Sequence, residues 1–187
     1  MTVAALALLL FLPLLLLIAL AIRAEGPGGV LFRQARTGLG GRRFTILKFR
    51  TMRPAASSDP EIRQACRGDP RVTRVGRWLR RWNIDELPQL FNVLKGDMSL
   101  IGPRPHALSH NHEYEQKIVL YARRHNVKPG ITGWAQIHGL RGETDTDDKM
   151  RRRVEYDLHY IDNWSLGLDL QILIRTVVSP RSYSNAY

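Results

Sequence analysis

The sequence predicts an α+β, helix-rich fold. An N-terminal membrane helix comes first, then a small β-hairpin, then a cytoplasmic domain with amphipathic helices at the membrane interface. Three observations predict this. Val3 to Ile22 is an unbroken apolar run without a charge. Two strand-like stretches flank a glycine-rich turn at Thr37-Gly38-Leu39-Gly40-Gly41. Apolar stripes at helical spacing follow, the clearest at Ile84, Leu87, Leu90, Phe91 and Leu94.

The apolar run sets the organisation: residues 1–25 in the membrane, residues 26–187 outside it. Roughly 20 apolar residues can span a bilayer core. Ala19-Leu20-Ala21 looks like a signal cleavage site, but no basic residue precedes the run and the run is long for a signal. A retained segment fits better. The Arg and Lys residues after Arg23 then place the remainder in the cytoplasm. Pro13 lies mid-run and removes one backbone donor, leaving the Leu9 carbonyl without its helical partner.

The whole chain has 187 residues, enough for one domain with a real core. Its single cysteine, Cys66, excludes an internal disulfide and suits a reducing compartment. Lys plus Arg total 28 against 17 Asp plus Glu, a net charge of +11. That balance fits nucleic acid, an anionic membrane face or phosphorylated substrates.

Gly26-Pro27-Gly28-Gly29 forms a hinge out of the membrane. Strands follow at Val30–Arg36 and Arg42–Met52, and Lys48 and Arg50 read by spacing as solvated hairpin charges. Arg53 to Gly68 is a polar loop with a short helix. A basic helix near Thr73–Trp82 alternates Arg74, Arg77, Arg80 and Arg81 with Val75, Trp78, Leu79 and Trp82. Such a helix suits a lipid headgroup layer. RNA is the competing ligand, but no nucleic-acid motif accompanies it.

Asp85 and Glu86 open the next helix, whose other face presents Gln89 and Asn92 with Asp85. Asn83 followed by Glu86 fits a capping box, and acidic residues in a first turn offset the helix dipole. Pro88 moves the helix start towards Leu87. The same N-terminus also suits an anion such as phosphate. Lys95-Gly96 stops the helix, and Gly102-Pro103-Arg104-Pro105 is a stiff turn carrying a fixed cation.

Ala107–Arg124 reads as helical; the spacing of His106, His110 and His112 suits no common zinc motif. Lys128 to Gly139 is turn-rich, with Trp134 packed. Glu143, Asp145, Asp147 and Asp148 form an acidic cluster at a helix start, without calcium-loop spacing. A last helix, Trp164–Val178, carries apolar residues at 166, 170, 173, 174 and 177, a stripe for a core or a membrane interface.

Four segments resemble the bacterial sugar transferase family, the monotopic phosphoglycosyl transferases. They are KFRTM at 48–52, DPRVTRVGRWLRRWNIDELPQLFNVLKGDMSLIGPRP at 69–105, KPGITGWAQIHGLRGETDTDDKM at 128–150, and RVEYDLHYIDNWSLGLDL at 153–170. The resemblance covers the chain from about Gly26 onward. It implies transfer of a sugar-1-phosphate from a nucleotide diphosphate sugar to a polyprenyl phosphate. Asp85 is then the nucleophile, and Glu86 helps it hold Mg²⁺. Lys48, Arg50, Arg80, Pro103 and Arg104 are then the substrate-binding set. The apolar run becomes a re-entrant helix broken at Pro13, although Leu12 stands where relatives often carry a serine.

The segment from Gly139 to Asp157 and the Asn185-Ala186-Tyr187 end look like the undecaprenyl-phosphate glucose phosphotransferases of exopolysaccharide synthesis. That implies UDP-glucose as donor, undecaprenyl phosphate as acceptor and UMP as released product. UDP-galactose and an N-acetylated sugar are the rival donors. The implied setting is the bacterial inner membrane, with the catalytic part facing the cytoplasm, inner-membrane lipid as partner, no nucleic acid, and room for a homo-oligomer. A non-enzymatic basic membrane adaptor is the alternative from another class.

Overall fold

A computed structural model describes residues 1–53, 68–142 and 146–178. The expected loop at 53–68, the residues Glu143 and Asp145, and the C-terminal Asn185-Ala186-Tyr187 lie outside the described residues, except for Arg53 and Gly68.

The apolar run forms helix α1, Thr2–Ala24. Its buried residues, Ala4, Leu8, Leu15, Ile18 and Ile22, follow one helical stripe. The stripe belongs to a core shared with Ile46, Phe49, Leu79, Leu90, Val93 and Met98. The rest of α1 is bare: Leu9, Leu10, Leu16, Leu17 and Leu20 are all exposed. The break expected at Pro13 is not found; the helix continues through it. Proline deletes one hydrogen bond of the ladder, and Leu8 and Leu15, on either side of it, are held by the same core.

Strands β1, Leu31–Thr37, and β2, Arg43–Phe49, pair as the expected antiparallel hairpin, with Leu31 opposite Phe49 and Thr37 opposite Arg43. The basic helix α2 spans Arg74–Arg81. Thr73 caps it, accepting from the Gly76 amide at 2.9 Å, and the Glu25 carboxylate accepts from the Val75 amide at 2.9 Å. Glu25 therefore ties the end of α1 to the start of α2. Leu79 is buried in the shared core, while Trp78 and Trp82 remain half exposed.

A 3₁₀ turn at Ile84–Glu86 leads through Pro88 to helix α3, Gln89–Lys95, which ends at Gly96 in the left-handed conformation. Two expectations need correction here. The capping box is absent: Asn83 is itself left-handed and its side chain caps nothing, while the Glu86 side chain points to cations instead. The apolar stripe does not hold at Phe91, which is exposed, while Gln89 and Asn92 on the other face are buried. Buried polar groups need partners, and Asn92 has them: it accepts from the Leu47 amide at 3.0 Å and donates to the Thr45 carbonyl at 2.7 Å. It stitches α3 to β2.

Strand β3, Ser99–Ile101, pairs in parallel with β4, Gly130–Thr132. The turn-rich reading missed this pair, because three-residue strands carry too little alternation to show. The crossing needs glycine: a Cβ on Gly130 would lie 2.1 Å from the Gly102 amide nitrogen, and one on Gly102 would lie 2.5 Å from the Lys128 carbonyl oxygen.

Helix α4, Leu108–Lys117, is shorter than expected. Leu120 takes a positive φ, and a 3₁₀ segment, Tyr121–Asn126, replaces the last turns. The short α5, Trp134–Ile137, precedes α6, Asp147–Asp162, which is capped by Thr146 and has Asp147 and Asp148 in its first turn. Tyr114, Ile118, Tyr121, Met150 and Val154 form a second core. Helix α7, Leu166–Val178, anchors by Ile172 and leaves Leu166, Leu170, Leu173, Ile174 and Val177 exposed. The stripe is therefore surface, not core. With α1 and α2 it provides the apolar exposure that marks membrane contact. Among the described residues only α1 is long and apolar enough to cross a bilayer.

Candidate active site

The 3₁₀ turn, β2 and two loops bring one carboxylate and three cations together. Glu86 is buried at 5% exposure. Its Oε1 accepts from Lys48 Nζ at 2.8 Å and from an Arg104 terminal nitrogen at 2.6 Å. Its Oε2 accepts from the other Arg104 nitrogen at 3.1 Å and from Arg141 at 2.5 Å. The Arg104 contact is the bidentate fork that guanidinium makes with carboxylate.

Each cation is placed by its backbone. The Asn92 bond to Leu47 fixes β2 beside Lys48. The Gly102 and Gly130 crossing lets the Pro103-Arg104 turn lie close against β4, and Pro103 is buried with its carbonyl accepting from the Gly130 amide at 2.9 Å. Arg141 comes from the loop after α5 and was not anticipated as a site residue. Its signal in the sequence is slight: an arginine between Gly139 and Gly142.

The two adjacent carboxylates are driven in opposite directions. Burial alone pushes Glu86 up, but Arg104, Lys48 and Arg141 outweigh it and hold the carboxyl well below its usual range. Asp85 is raised, first by burial and then by the Glu86 charge; Lys48, Arg141 and Arg80 offset this only in part. Asp85 makes no side-chain hydrogen bond among the described residues and stays partly exposed. Burial also pulls Lys48 below its ordinary value, against the pull of Glu86. A carboxylate pair with separated proton affinities is what distinct chemical roles require.

Arg80 donates through Nε to Thr51 Oγ1 at 2.8 Å, and its charge is felt by Asp85. Arg50 is elsewhere. It donates to the carbonyls of Ile22 at 3.1 Å, Gly26 at 3.0 Å and Pro27 at 2.6 Å. Ile22 lies in the last turn of α1, where a cation is favoured, and Gly26 and Pro27 lie in the hinge just beyond it. Arg50 therefore fastens the hinge; the structure does not bring it to the Glu86 cluster.

Glu86 was also expected to hold a divalent cation, but both its oxygens are engaged by three cations. Among the described residues there is no group of three His, Cys, Asp or Glu side chains able to hold a metal ion. Mg²⁺ commonly takes one or two carboxylates and completes its shell with substrate phosphates and water. Asp85 has no side-chain hydrogen bond among the described residues, whereas both Glu86 oxygens are taken up by Lys48, Arg104 and Arg141.

Residues 1–181 match the bacterial sugar transferase family. The chain belongs to this family. It is 58% identical over 184 residues to a UDP-glucose:undecaprenyl-phosphate glucose-1-phosphate transferase of Caulobacter vibrioides, covering 98% of this chain and 68% of that protein. A protein of the same name from Escherichia coli is 55% identical over 93% of this chain, which spans 37% of that relative. A UDP-N-acetylgalactosamine-undecaprenyl-phosphate N-acetylgalactosaminephosphotransferase of Aeromonas hydrophila is 49% identical over 93% of this chain and 40% of its own length. The chain thus spans about two thirds of one curated relative and about two fifths or less of the other two.

Proposed function

We propose that this chain is a phosphoglycosyl transferase that moves glucose-1-phosphate from UDP-glucose to undecaprenyl phosphate, releasing UMP. The observation that carries the reading is Asp85: a carboxylate with no side-chain hydrogen bond among the described residues, held beside a fixed set of cations. The names of the Caulobacter and Escherichia relatives supply the substrates.

Asp85 attacks the phosphorus nearest the sugar and the phosphoanhydride bond breaks, with UMP as leaving group. The product is an aspartyl phospho-sugar. A phosphate oxygen of the lipid then attacks the same phosphorus, the bond to Asp85 breaks, and undecaprenyl-diphosphate glucose forms. Each step brings an anion to an anion, so fixed positive charge must lower the barrier. Glu86 keeps Lys48, Arg104 and Arg141 in place, and three cations on one carboxylate leave a surplus for phosphate oxygens. Arg80 stands near the nucleophile. Asp85, with the donor diphosphate, would hold Mg²⁺, which supplies further charge neutralisation when bound.

The raised proton affinity of Asp85 has a kinetic consequence. The nucleophile must be ionised, so the acid limb of kcat/KM lies above the ordinary aspartate value of 3.8. The assay is purified protein with undecaprenyl phosphate, Mg²⁺ and a panel of UDP-sugars, with release of UMP against UDP as readout. UDP release indicates an ordinary glycosyltransferase and overturns the reading. The Aeromonas relative favours one second reading, the same reaction with an N-acetylated sugar. Preference for that donor, or for UDP-galactose, replaces the glucose assignment and leaves the reaction type.

The proposed setting is the inner membrane, with the domain and both ends of α1 on the cytoplasmic side. What supports this is the one buried stripe of α1, from Ala4 to Ile22, which packs on the domain core along the length of the helix and leaves the opposite face to lipid. With Cys66 replaced, Thr2→Cys should resist a membrane-impermeant thiol reagent in intact cells. Ready labelling means that α1 crosses.

A further inference from the structure

Behind the Glu86 cluster lies a second polar centre that the proposed chemistry does not use. His106 is buried two residues after Arg104, between α4, the Tyr121–Asn126 segment and α6. Its Nδ1 lies 2.6 Å from Tyr121 Oη and 3.0 Å from an Arg124 terminal nitrogen. Its Nε2 lies 3.3 Å from an Arg153 terminal nitrogen. Tyr121 donates to Asn111 Oδ1 at 2.7 Å.

One proton arrangement satisfies most of these contacts. Arg153 can only donate, so Nε2 accepts from it. Nδ1 then carries the proton and donates to the Tyr121 oxygen, and the Tyr121 hydroxyl donates onward to Asn111, so Arg124 meets this ring edge as a packed neighbour and not as a hydrogen-bond donor. This requires a neutral ring. Burial, and then the charges of Arg124, Arg153, Arg36 and Arg104, hold the imidazole well below its usual value and keep it neutral.

The two arginines that touch His106 each reach a backbone segment that carries a clamp cation. Arg124 donates to the Arg104 carbonyl at 2.8 Å, and its Nε is anchored on Asp157 at 2.8 Å. Arg153 donates to the Gly142 carbonyl at 2.5 Å, one residue from Arg141. The path from the ring to each clamp residue is therefore one guanidinium and one carbonyl.

We propose that His106 is a positioning residue: through Arg124 and Arg153 it sets the loops carrying Arg104 and Arg141 so that both cations converge on Glu86. Lysine or arginine at 106 would add charge to a site already rich in it, and an aliphatic residue would leave one terminal nitrogen of Arg153 without its acceptor. The inference rests on the transferase reading for its kinetic consequence but not for its geometric one.

The test uses the whole chain in detergent or nanodisc and two readouts. Hydrogen exchange, without any substrate, reads the geometry: His106→Ala should raise exchange at 101–107 and 138–142 and leave α3 unchanged. UMP release reads the consequence. A misplacement of about 1 Å at a reacting centre can cost on the order of 100-fold, so His106→Ala should lose roughly that in kcat/KM. If His106 acts through the clamp, its cost must shrink when Arg141→Ala is already present. His106→Gln, which keeps an amide near the Nε2 position, should recover part of the loss. Additive losses in the double variant, or unchanged exchange in both loops, overturn the proposal. If wild-type protein releases no UMP, the transferase reading fails, and the exchange result still decides the positioning role.

Discussion

Two buried carboxylates anchor two arginine clusters in this protein, and they are built differently. Glu86 collects Lys48, Arg104 and Arg141. Asp157 has one ion-pair partner among the described residues, Arg124, with both side chains only 3% exposed. The surplus charge of the Asp157 centre is met from within the fold, by the carbonyls of Arg104 and Gly142 and by the His106 ring. The Glu86 centre keeps an open edge at Asp85, whose carboxylate is partly exposed and has no hydrogen-bond partner among the described residues. A sealed cluster supports its neighbours. A cluster with surplus cations and an unpartnered carboxylate is prepared for an anionic substrate.

The largest effect should come from the open edge. Removing a covalent nucleophile typically costs on the order of 10⁴-fold or more in turnover. Asp85→Asn should lose at least that, and the phospho-sugar adduct expected by mass spectrometry with donor alone should be absent. The fold should not suffer. Asp85 is held with its proton affinity raised, by burial and then by Glu86, so ionisation there works against folding at neutral pH. Asp85→Asn should therefore unfold at a denaturant concentration equal to or above that of wild type. A stable variant with full turnover would refute the covalent route.

The two anchors themselves separate next. Asp157→Ala leaves Arg124 as an uncompensated buried charge, a change that typically costs about 3–5 kcal/mol. Chemical denaturation at neutral pH should show that loss. Glu86→Gln should be milder in stability but should change its pH dependence. The native Glu86 carboxyl is held well below its ordinary value of 4.5, because its three cations outweigh burial. Its contribution is present above that value and is lost as pH falls through the lower native one. The gap between wild type and Glu86→Gln should therefore narrow as pH drops below 4.5. A gap that widens in acid would mean that the cations do not stabilise the ionised form.

How much of this was legible in the sequence follows the range of the forces involved. Local signals did well: the apolar run, the hairpin, the capped α2 and α6, and the Gly96 stop all depend on neighbours within a turn or so. The Asp85-Glu86 pair was found and given separate roles, but the part of Glu86 as anchor of three cations was not foreseen, since one of them, Arg141, lies 55 residues further along the chain. The His106, Arg124 and Asp157 cluster was invisible for the same reason. The stripe put Phe91 inside and Gln89 and Asn92 on the other face, but spacing alone does not show that Asn92 is buried and bonded to β2 while Phe91 is exposed. The parallel β3 and β4 pair is too short to leave a pattern, and only its glycines hint at the close crossing.

Arg50 provides the smallest effect and the sharpest control. It stands two residues from Lys48, just past the end of β2, and the family resemblance placed both among the substrate contacts. Geometry separates them: Lys48 turns to Glu86, while Arg50 spans three carbonyls at the exit of α1. If position along the chain were what mattered, the two alanine substitutions would behave alike. If the partners matter, they diverge. Arg50→Ala should cost about 1–3 kcal/mol in stability, the range for hydrogen bonds from a charged donor. It should leave the KM for the nucleotide sugar within about threefold of wild type, a difference below 1 kcal/mol. Lys48→Ala should instead raise KM or lower kcat by a larger factor. Loss of donor affinity in Arg50→Ala, with stability unchanged, would return Arg50 to the phosphate-binding set and show that the hinge can release it when the donor arrives.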